Sequence, residues 1–336
     1  MPKTEVLLLL IAVRLMACIL QPGDSAVLGS ETGPDRSTLG LVGAVRPLGA
    51  TGLIAVLDSR MNRIVLFDCH GRFVSEVGRS GAGPGEFAVP VAMRVDPNNV
   101  VHVLDESTQR ISRFTLDGTQ LRYSSATTLP VAAADFCLVG RAYIVATATG
   151  RRLHRINTDG VDEAVLGPPQ AAEANPLAGR ILGRGLVECH ASRRTIVLGL
   201  TQLPLVVAYT EAGDSLWDNK LEGHRRMIVT ITPREVRTDL TQEGADFLVT
   251  LGRLTDSQLV VQLGRVMPGT RRSGEYARLT TYVIRVMDGR TTWVATRPKE
   301  HLLHVEGVLG FFESHDPYPR VIVRPLRPGF DKKEAP

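Results

Sequence analysis

The chain has 336 residues, with 39 Lys and Arg against 35 Asp and Glu; 43% are hydrophobic, 22% charged and only 5% aromatic. Those proportions exclude a disordered tail, a disulfide scaffold, a collagen and a polytopic membrane protein. A net charge of +4 is too weak and too scattered to mark a nucleic-acid partner. The excess of Arg over Lys, 34 to 5, reads as the base composition of a GC-rich genome before it reads as anion recognition.

In chain order, Lys3 is followed by eight apolar residues from Val6 to Val13 and by a Pro-Gly-Asp-Ser turn. That run is too short to span a bilayer but suits the apolar region of a signal peptide, expected over residues 1–25. Leu15-Met16-Ala17-Cys18 resembles a bacterial lipobox, which implies lipidation at Cys18; Met at the middle position, Glu5 and Arg14 depart from the usual pattern. Cys69, Cys137 and Cys189 lie about fifty or more residues apart. They fit neither a zinc finger nor a Cys-x-x-Cys redox pair, and they are expected as buried small apolar side chains, one disulfide remaining an alternative.

From Leu53 to Asp58 the chain reads LIAVLD, and from Val100 to Asp105 it reads VVHVLD. Arg63, Ile64, Phe67 and Gly71 recur as Arg110, Ile111, Phe114 and Gly118, all at an offset of 47. A third copy at an offset of 42 places Arg152, Ile156, Asp159 and Gly160 under Arg110, Phe114, Asp117 and Gly118. Fainter copies follow at Tyr209 and Gly213, at Asp288-Gly289, and at RVIVRPL from Arg320 to Leu326. Within each unit, alternating aliphatic runs are separated by turn signals such as Asp96-Pro97-Asn98-Asn99. No apolar pattern of period 3.6 survives beyond one turn.

Four strands in about 45 residues, repeated some six times, is the arithmetic of β-propeller blades. The expected fold is all-β: a six-bladed β-propeller over residues 26–326 with four-stranded antiparallel blades, followed by a flexible tail at 327–336. The second blade reads as Val91–Val95, Val100–Leu104, Arg110–Leu116 and Gln120–Ser124. The last unit lacks an outer strand, so a segment between about Ala26 and Val45 is expected to supply it or lie beside it.

The linker GRSGAGPGEFAVP from Gly78 to Pro90, with VAMRVDPNNVVHVLDESTQRISRFTLDG from Val91 to Gly118, closely resembles the NHL repeat of six-bladed propellers. The resemblance covers about residues 53–120 well and thins beyond 160. In this reading Gly81, Gly83 and Gly85 permit a tight crossover, Pro84 stiffens it and Phe87 plugs a blade interface. Asp58 with Arg63, and Asp105 with Arg110, are expected to form turn-bracing ion pairs.

Long connections fall on one face: Gly78–Pro90, Gly167–Gly183, Glu222–Ala245 and Gly264–Leu279. That face is the expected binding surface. His224, Arg225, Arg226, Arg271, Arg272 and Tyr276 are its candidate ligand-binding residues, suited to an acidic partner or a glycan phosphate. The plainer reading is a solvated charged loop, since Glu222–Ala245 balances four Arg with four acids.

Asp135, Glu188, Asp246 and Glu306 fall on or beside inner strands of four successive blades and are the candidate ligands of a channel metal, Ca²⁺ or Zn²⁺. Related propeller enzymes of the gluconolactonase and paraoxonase kind imply a metal-dependent lactonase, esterase or lyase. No Gly-x-Ser-x-Gly elbow, P-loop or His-Glu-x-x-His occurs, and the Gly-rich linker opens no helix. NHL domains that bind RNA use aromatic stacking, which a chain with 5% aromatic residues does not favour.

The leading expectation is therefore an exported, periplasmic or lipid-anchored binding or scaffold module of the cell envelope. It needs no cofactor, meets an envelope protein or glycan and no nucleic acid, touches the membrane only through the anchor, and is monomeric. The metal-dependent enzyme is the alternative.

Overall fold

The structure, a computed structural model, describes residues 25–31, 36–147, 153–167, 182–232, 235–270, 275–297 and 300–326. The expected signal peptide with Cys18 and the tail at 327–336 therefore lie outside the described residues, apart from Ser25. Strands dominate throughout. They are β1 (Ala26–Leu28), β2 to β5 (Val42–Pro47, Leu53–Asp58, Arg63–Asp68, Phe73–Val77) and β6 to β9 (Pro90–Val95, Val101–Asp105, Arg110–Asp117, Gln120–Thr128). Next come β10 to β13 (Ala133–Val139, Ala142–Thr147, Leu153–Ile156, Asp162–Leu166) and β14 to β17 (Gly185–His190, Thr195–Leu200, Leu205–Thr210, Ser215–Lys220). The series ends with β18 and β19 (Ile228–Ile231, Val236–Asp239), β20 to β23 (Ala245–Thr255, Gln258–Val266, Arg278–Arg285, Thr291–Arg297) and β24 to β26 (His301–Glu306, Leu309–Ser314, Arg320–Pro325).

Five sheets take consecutive strands, β2–β5, β6–β9, β10–β13, β14–β17 and β20–β23, and a sixth has the order β1–β26–β25–β24. Each is four-stranded, and β18–β19 forms a separate two-stranded ribbon. This is the strand inventory of a six-bladed β-propeller, the expected fold class. The predicted strands of the second blade agree with β6–β9 to within a few residues. The missing outer strand of the last blade is β1, which pairs Ala26, Val27 and Leu28 with Val323, Ile322 and Val321.

The chain divides into two compact units, one running up to Ala126 and including Val308–Pro325, the other containing Thr127–Gly307. In the first, the core gathers Leu48, Leu57, Ile64, Leu66, Met93, Val103 and Phe114, all essentially inaccessible, around the fully buried Phe87. Alternation along β3, β4, β6, β7 and β8 delivers all of these side chains but Leu48, and burying one phenylalanine contributes roughly 2–3 kcal/mol. The Phe87 and Phe114 rings lie 5.6 Å apart.

Around Phe87 the Gly-rich linker braces itself. Glu86 accepts the Gly83 N–H at 2.8 Å and pairs with Arg79, while Gly81 N–H donates to the Phe87 carbonyl at 3.0 Å. A Cβ on Gly81 would stand 2.1 Å from the Glu86 carboxylate, and its φ of +155° is one that side-chain-bearing residues avoid. In the β6–β7 hairpin, Asp96 accepts the N–H groups of Asn98 and Val100, which explains the DPNN turn.

The acidic braces are only partly as expected. Asp58, at the end of β3, accepts the N–H groups of Gly40 and Leu41 and lies 3.6 Å from Arg63. Asp105, at the matching end of β7, likewise accepts Ala88 and Val89 at 2.6 and 3.0 Å. Arg110, however, donates to the carbonyls of Ala82, Gly83 and Glu86 instead of closing an ion pair with Asp105. The element repeated between the first two blades is a carboxylate that holds the two N–H groups preceding the inner strand, β2 or β6; the arginine ties the linker down.

In the second unit, Val187, Ile196, Leu198 and Tyr209 pack with Ile144 and Leu153, and a second cluster joins Val197, Leu248, Leu259, Val261 and Tyr282. Cys137 of β10 and Cys189 of β14 form a disulfide with Cα atoms 5.6 Å apart. The expectation of buried thiols is corrected: Cys69 is disulfide-bonded as well and no described cysteine is a free thiol, and in this pair two inner strands that are neighbours in space bring together cysteines 52 residues apart. After β15 the contact is of the opposite kind: the Thr201 hydroxyl donates to the Arg184 carbonyl at 2.9 Å ahead of β14.

Candidate functional site

The fifth blade, β20–β23, carries the richest polar cluster on the expected binding face. Its inner strand β20 begins where the long Glu222–Gly244 connection ends, while β21 finishes and β22 starts beside it. Antiparallel register sets Asp246 opposite Arg265 and Arg265 opposite Arg278. Arg265 grips Asp246 in a two-pronged contact, Nε to Oδ1 at 2.8 Å and a terminal nitrogen to Oδ2 at 2.6 Å. The Arg225 N–H donates to the same carboxylate at 2.8 Å, and the Asp246 N–H returns a bond to the Arg225 carbonyl.

Burial alone would raise the Asp246 pKa, but the hydrogen bonds from Arg265 and Arg225 and the charges of Arg265 and Arg278 hold it below the usual carboxylate range. The bond to Asp246 correspondingly raises the pKa of Arg265. Tyr282 is pushed up to about 12 by burial and then by the Asp246 charge, so it stays a neutral donor and gives its hydroxyl to the Glu222 carbonyl at 2.6 Å. We expect Tyr282→Phe to lower the unfolding free energy by about 1 kcal/mol. An unchanged urea midpoint would mean that the hydroxyl anchors nothing.

Around this pair, His224 donates from Nδ1 to the Leu221 carbonyl at 2.5 Å, which leaves Nε2 to accept from Arg226 at 3.2 Å. Arg225 pairs with Glu243. Tyr276 lies against Gly264, where a Cβ would fall 2.5 Å from its ring, and meets the His301 ring edge-on at 5.3 Å. Gly264 is thus the residue that lets the aromatic ring approach the strand. Among the described residues, Arg226 and Arg278 have no acidic partner. They flank the neutralised Asp246–Arg265 pair, one adjoining Arg225 and the other across from Arg265. Guanidinium groups that make no ion pair can bind a phosphate, sulfate or carboxylate.

Of the six ligand-binding candidates, the structure places His224, Arg225, Arg226 and Tyr276 on this face, while Arg271 and Arg272 lie outside the described residues. Arg225 is neutralised by Glu243. Arg265 and Arg278 belong to the same Gly264–Leu279 hairpin and are not among the six candidates; Arg265 is an internal structural partner of Asp246, whereas Arg278 makes no ion pair among the described residues. The signal that could have separated them was Asp246, a carboxylate two positions into an inner strand that needs a cationic partner on the next strand.

The four metal candidates all sit on inner strands but are engaged separately. Asp135 accepts the Val187 N–H at 2.9 Å, Asp246 holds Arg265, Glu306 is exposed beside His304, and Glu188 projects from β14. Among the described residues, no group of three or more His, Cys, Asp or Glu is placed to hold a metal ion.

A family described as a 6-bladed β-propeller matches residues 32–147, about a third of the chain. No curated protein matches it by sequence. Among solved structures, it is similar to a candidate exported protein of Bacteroides fragilis, at 11% identity and a TM-score of 0.55 over 90% of this chain and 95% of that one. A member of an uncharacterised family from Bacteroides vulgatus gives 7% identity and a TM-score of 0.57 over 89% and 95%. A catalytically inactive virginiamycin B lyase from Staphylococcus aureus, crystallised with quinupristin, gives 12% and 0.53 over 90% and 100%. At these identities the likeness is one of fold.

Proposed function

We propose that this β-propeller is an exported, non-catalytic binding module of the cell envelope that captures an acidic partner, protein carboxylates or glycan phosphate, on the loop face of its fifth blade. The observation that carries this reading is the pair Arg226 and Arg278, left without acidic partners among the described residues, around an Asp246–Arg265 pair that is already neutral. His224 orients Arg226, and Tyr276 with His301 supplies an aromatic wall. The Cys137–Cys189 disulfide supports export, because such bonds persist in oxidising compartments. The lipobox-like Cys18 would add a membrane anchor. Among the described residues no helix is long and apolar enough to cross a membrane.

Retention on polyphosphate and poly-glutamate resins tests the reading. The wild-type protein is expected to elute at distinctly higher salt than an Arg226→Gln/Arg278→Gln variant of equal melting temperature. Coincident elution would remove this face as the binding surface. Melting with calcium, zinc or chelator addresses the alternative of a metal-dependent enzyme using Asp135, Glu188, Asp246 and Glu306: a large shift with either ion would demote the non-catalytic reading.

A further inference from the structure

The β18–β19 ribbon projects from the Glu222–Gly244 connection and belongs to no blade. Two-stranded ribbons are marginal by themselves, and this one leaves Ile228 and Ile231 about half exposed, at 52% and 50%. Its second strand, Val236-Arg237-Thr238-Asp239, is an edge with no Pro, and its two charges are of opposite sign, so they do not repel a second copy of the same edge.

The Thr232 N–H donates to the Glu235 carbonyl, and the register then runs Ile231 with Val236, Thr230 with Arg237, Val229 with Thr238 and Ile228 with Asp239. Antiparallel ladders alternate bonded and non-bonded pairs. Arg237 and Asp239 therefore spend their backbone groups on β18, while those of Val236, Thr238 and Leu240 point outward. Arg237 and Asp239 are exposed on one face, and neither makes an ion pair among the described residues.

We infer that β19 pairs antiparallel with β19 of a second copy of this chain about a two-fold axis at Thr238. The geometry is self-complementary at every position. Thr238 exchanges both backbone bonds with the partner's Thr238, and Val236 does so with the partner's Leu240. Arg237 then falls opposite the partner's Asp239 in the non-bonded pairs, where side chains approach most closely, and the symmetry repeats that ion pair once. Val236 and Leu240 lie on the face that carries Val229 and Ile231, so joining the edges extends one apolar surface across four strands. This revises the expectation of a monomer and is independent of the acidic-partner reading.

The contact is small, so the association is weak and concentration-dependent. Sedimentation equilibrium of the mature protein is expected to show a monomer–dimer equilibrium. Arg237→Asp alone and Asp239→Arg alone should each weaken it about tenfold by setting like charges opposite. The double exchange, Arg237→Asp with Asp239→Arg, should restore it. Thr238→Pro, which removes an outward N–H and leaves the ribbon's own bonds intact, should abolish it. A chain that stays monomeric at every accessible concentration overturns the inference, as does a dimer indifferent to the single exchanges or a double exchange that fails to rescue with the melting temperature unchanged.

Discussion

Replacing Cys137 and Cys189 together by alanine is expected to lower the unfolding free energy by about 4 kcal/mol, the loop-closure entropy of a 52-residue separation restored to the unfolded chain. The bond ties β10 to β14, two adjacent inner strands of the second unit, so its loss also loosens the wall that Val187 and Ile144 build. The measurement is the denaturant midpoint of the variant against the oxidised parent, with the reduced parent as control. A loss below about 1 kcal/mol would mean that residual structure already confines the unfolded chain, so that the bond adds little.

Acid is expected to weaken the protein in two separate windows. Burial drives the pKa of His102 from 6.5 to about 4, against the nearby Asp96 carboxylate, and that of His190 likewise, helped by Arg253 and opposed by Asp256. Both rings are neutral in the folded chain, while the unfolded chain takes up a proton near pH 6.5. The unfolded state therefore binds more protons between about pH 6.5 and 4, and stability falls as pH falls through that window, by on the order of 2–3 kcal/mol for each ring. Asp246 and Asp68, both held below the usual carboxylate range, add a loss with the same sign at lower pH as they protonate. Chemical denaturation at a series of pH values should show a steep fall above pH 4 that His190→Leu makes shallower. A midpoint flat from pH 7 to 4.5, or an unaltered slope in the variant, would show that these rings reach water.

These effects mark where local reading ends. The second blade was legible strand by strand because its information is local: alternation sets the faces of β6–β9, Asp96 and Gly118 set the turns, and Phe87 announces the interface. The same reading assigned Arg110 to Asp105 from spacing, yet the guanidinium found the carbonyls of a linker some 25 residues earlier. Which backbone group meets the end of a second strand, an N–H at Asp58 and Asp105 or the Arg184 carbonyl at Thr201, is likewise set by distant chain.

The candidate site was less legible for a similar reason. Asp246 looked like one of four channel ligands while only its strand was known. Its partner Arg265 lies 19 residues on, and which of Arg225, Arg226, Arg265 and Arg278 remains uncompensated depends on the β20–β21–β22 register. A charge run in a sequence says how many guanidinium groups are present; geometry within a few ångströms says which are already spent.

Period, turn chemistry and the missing last strand are properties of neighbouring residues, and they were enough to determine a six-bladed, four-stranded fold; that β1 supplies the last outer strand, where the sequence left it either supplying or neighbouring that sheet, was decided by the pairing with β26. The Cys137–Cys189 bond, the Asp246–Arg265 pair, the uncompensated Arg226 and Arg278 and the free β19 edge were decided by tertiary structure alone. Each is a relation between residues far apart in the chain, and no local propensity encodes which distant group will arrive at hydrogen-bonding distance.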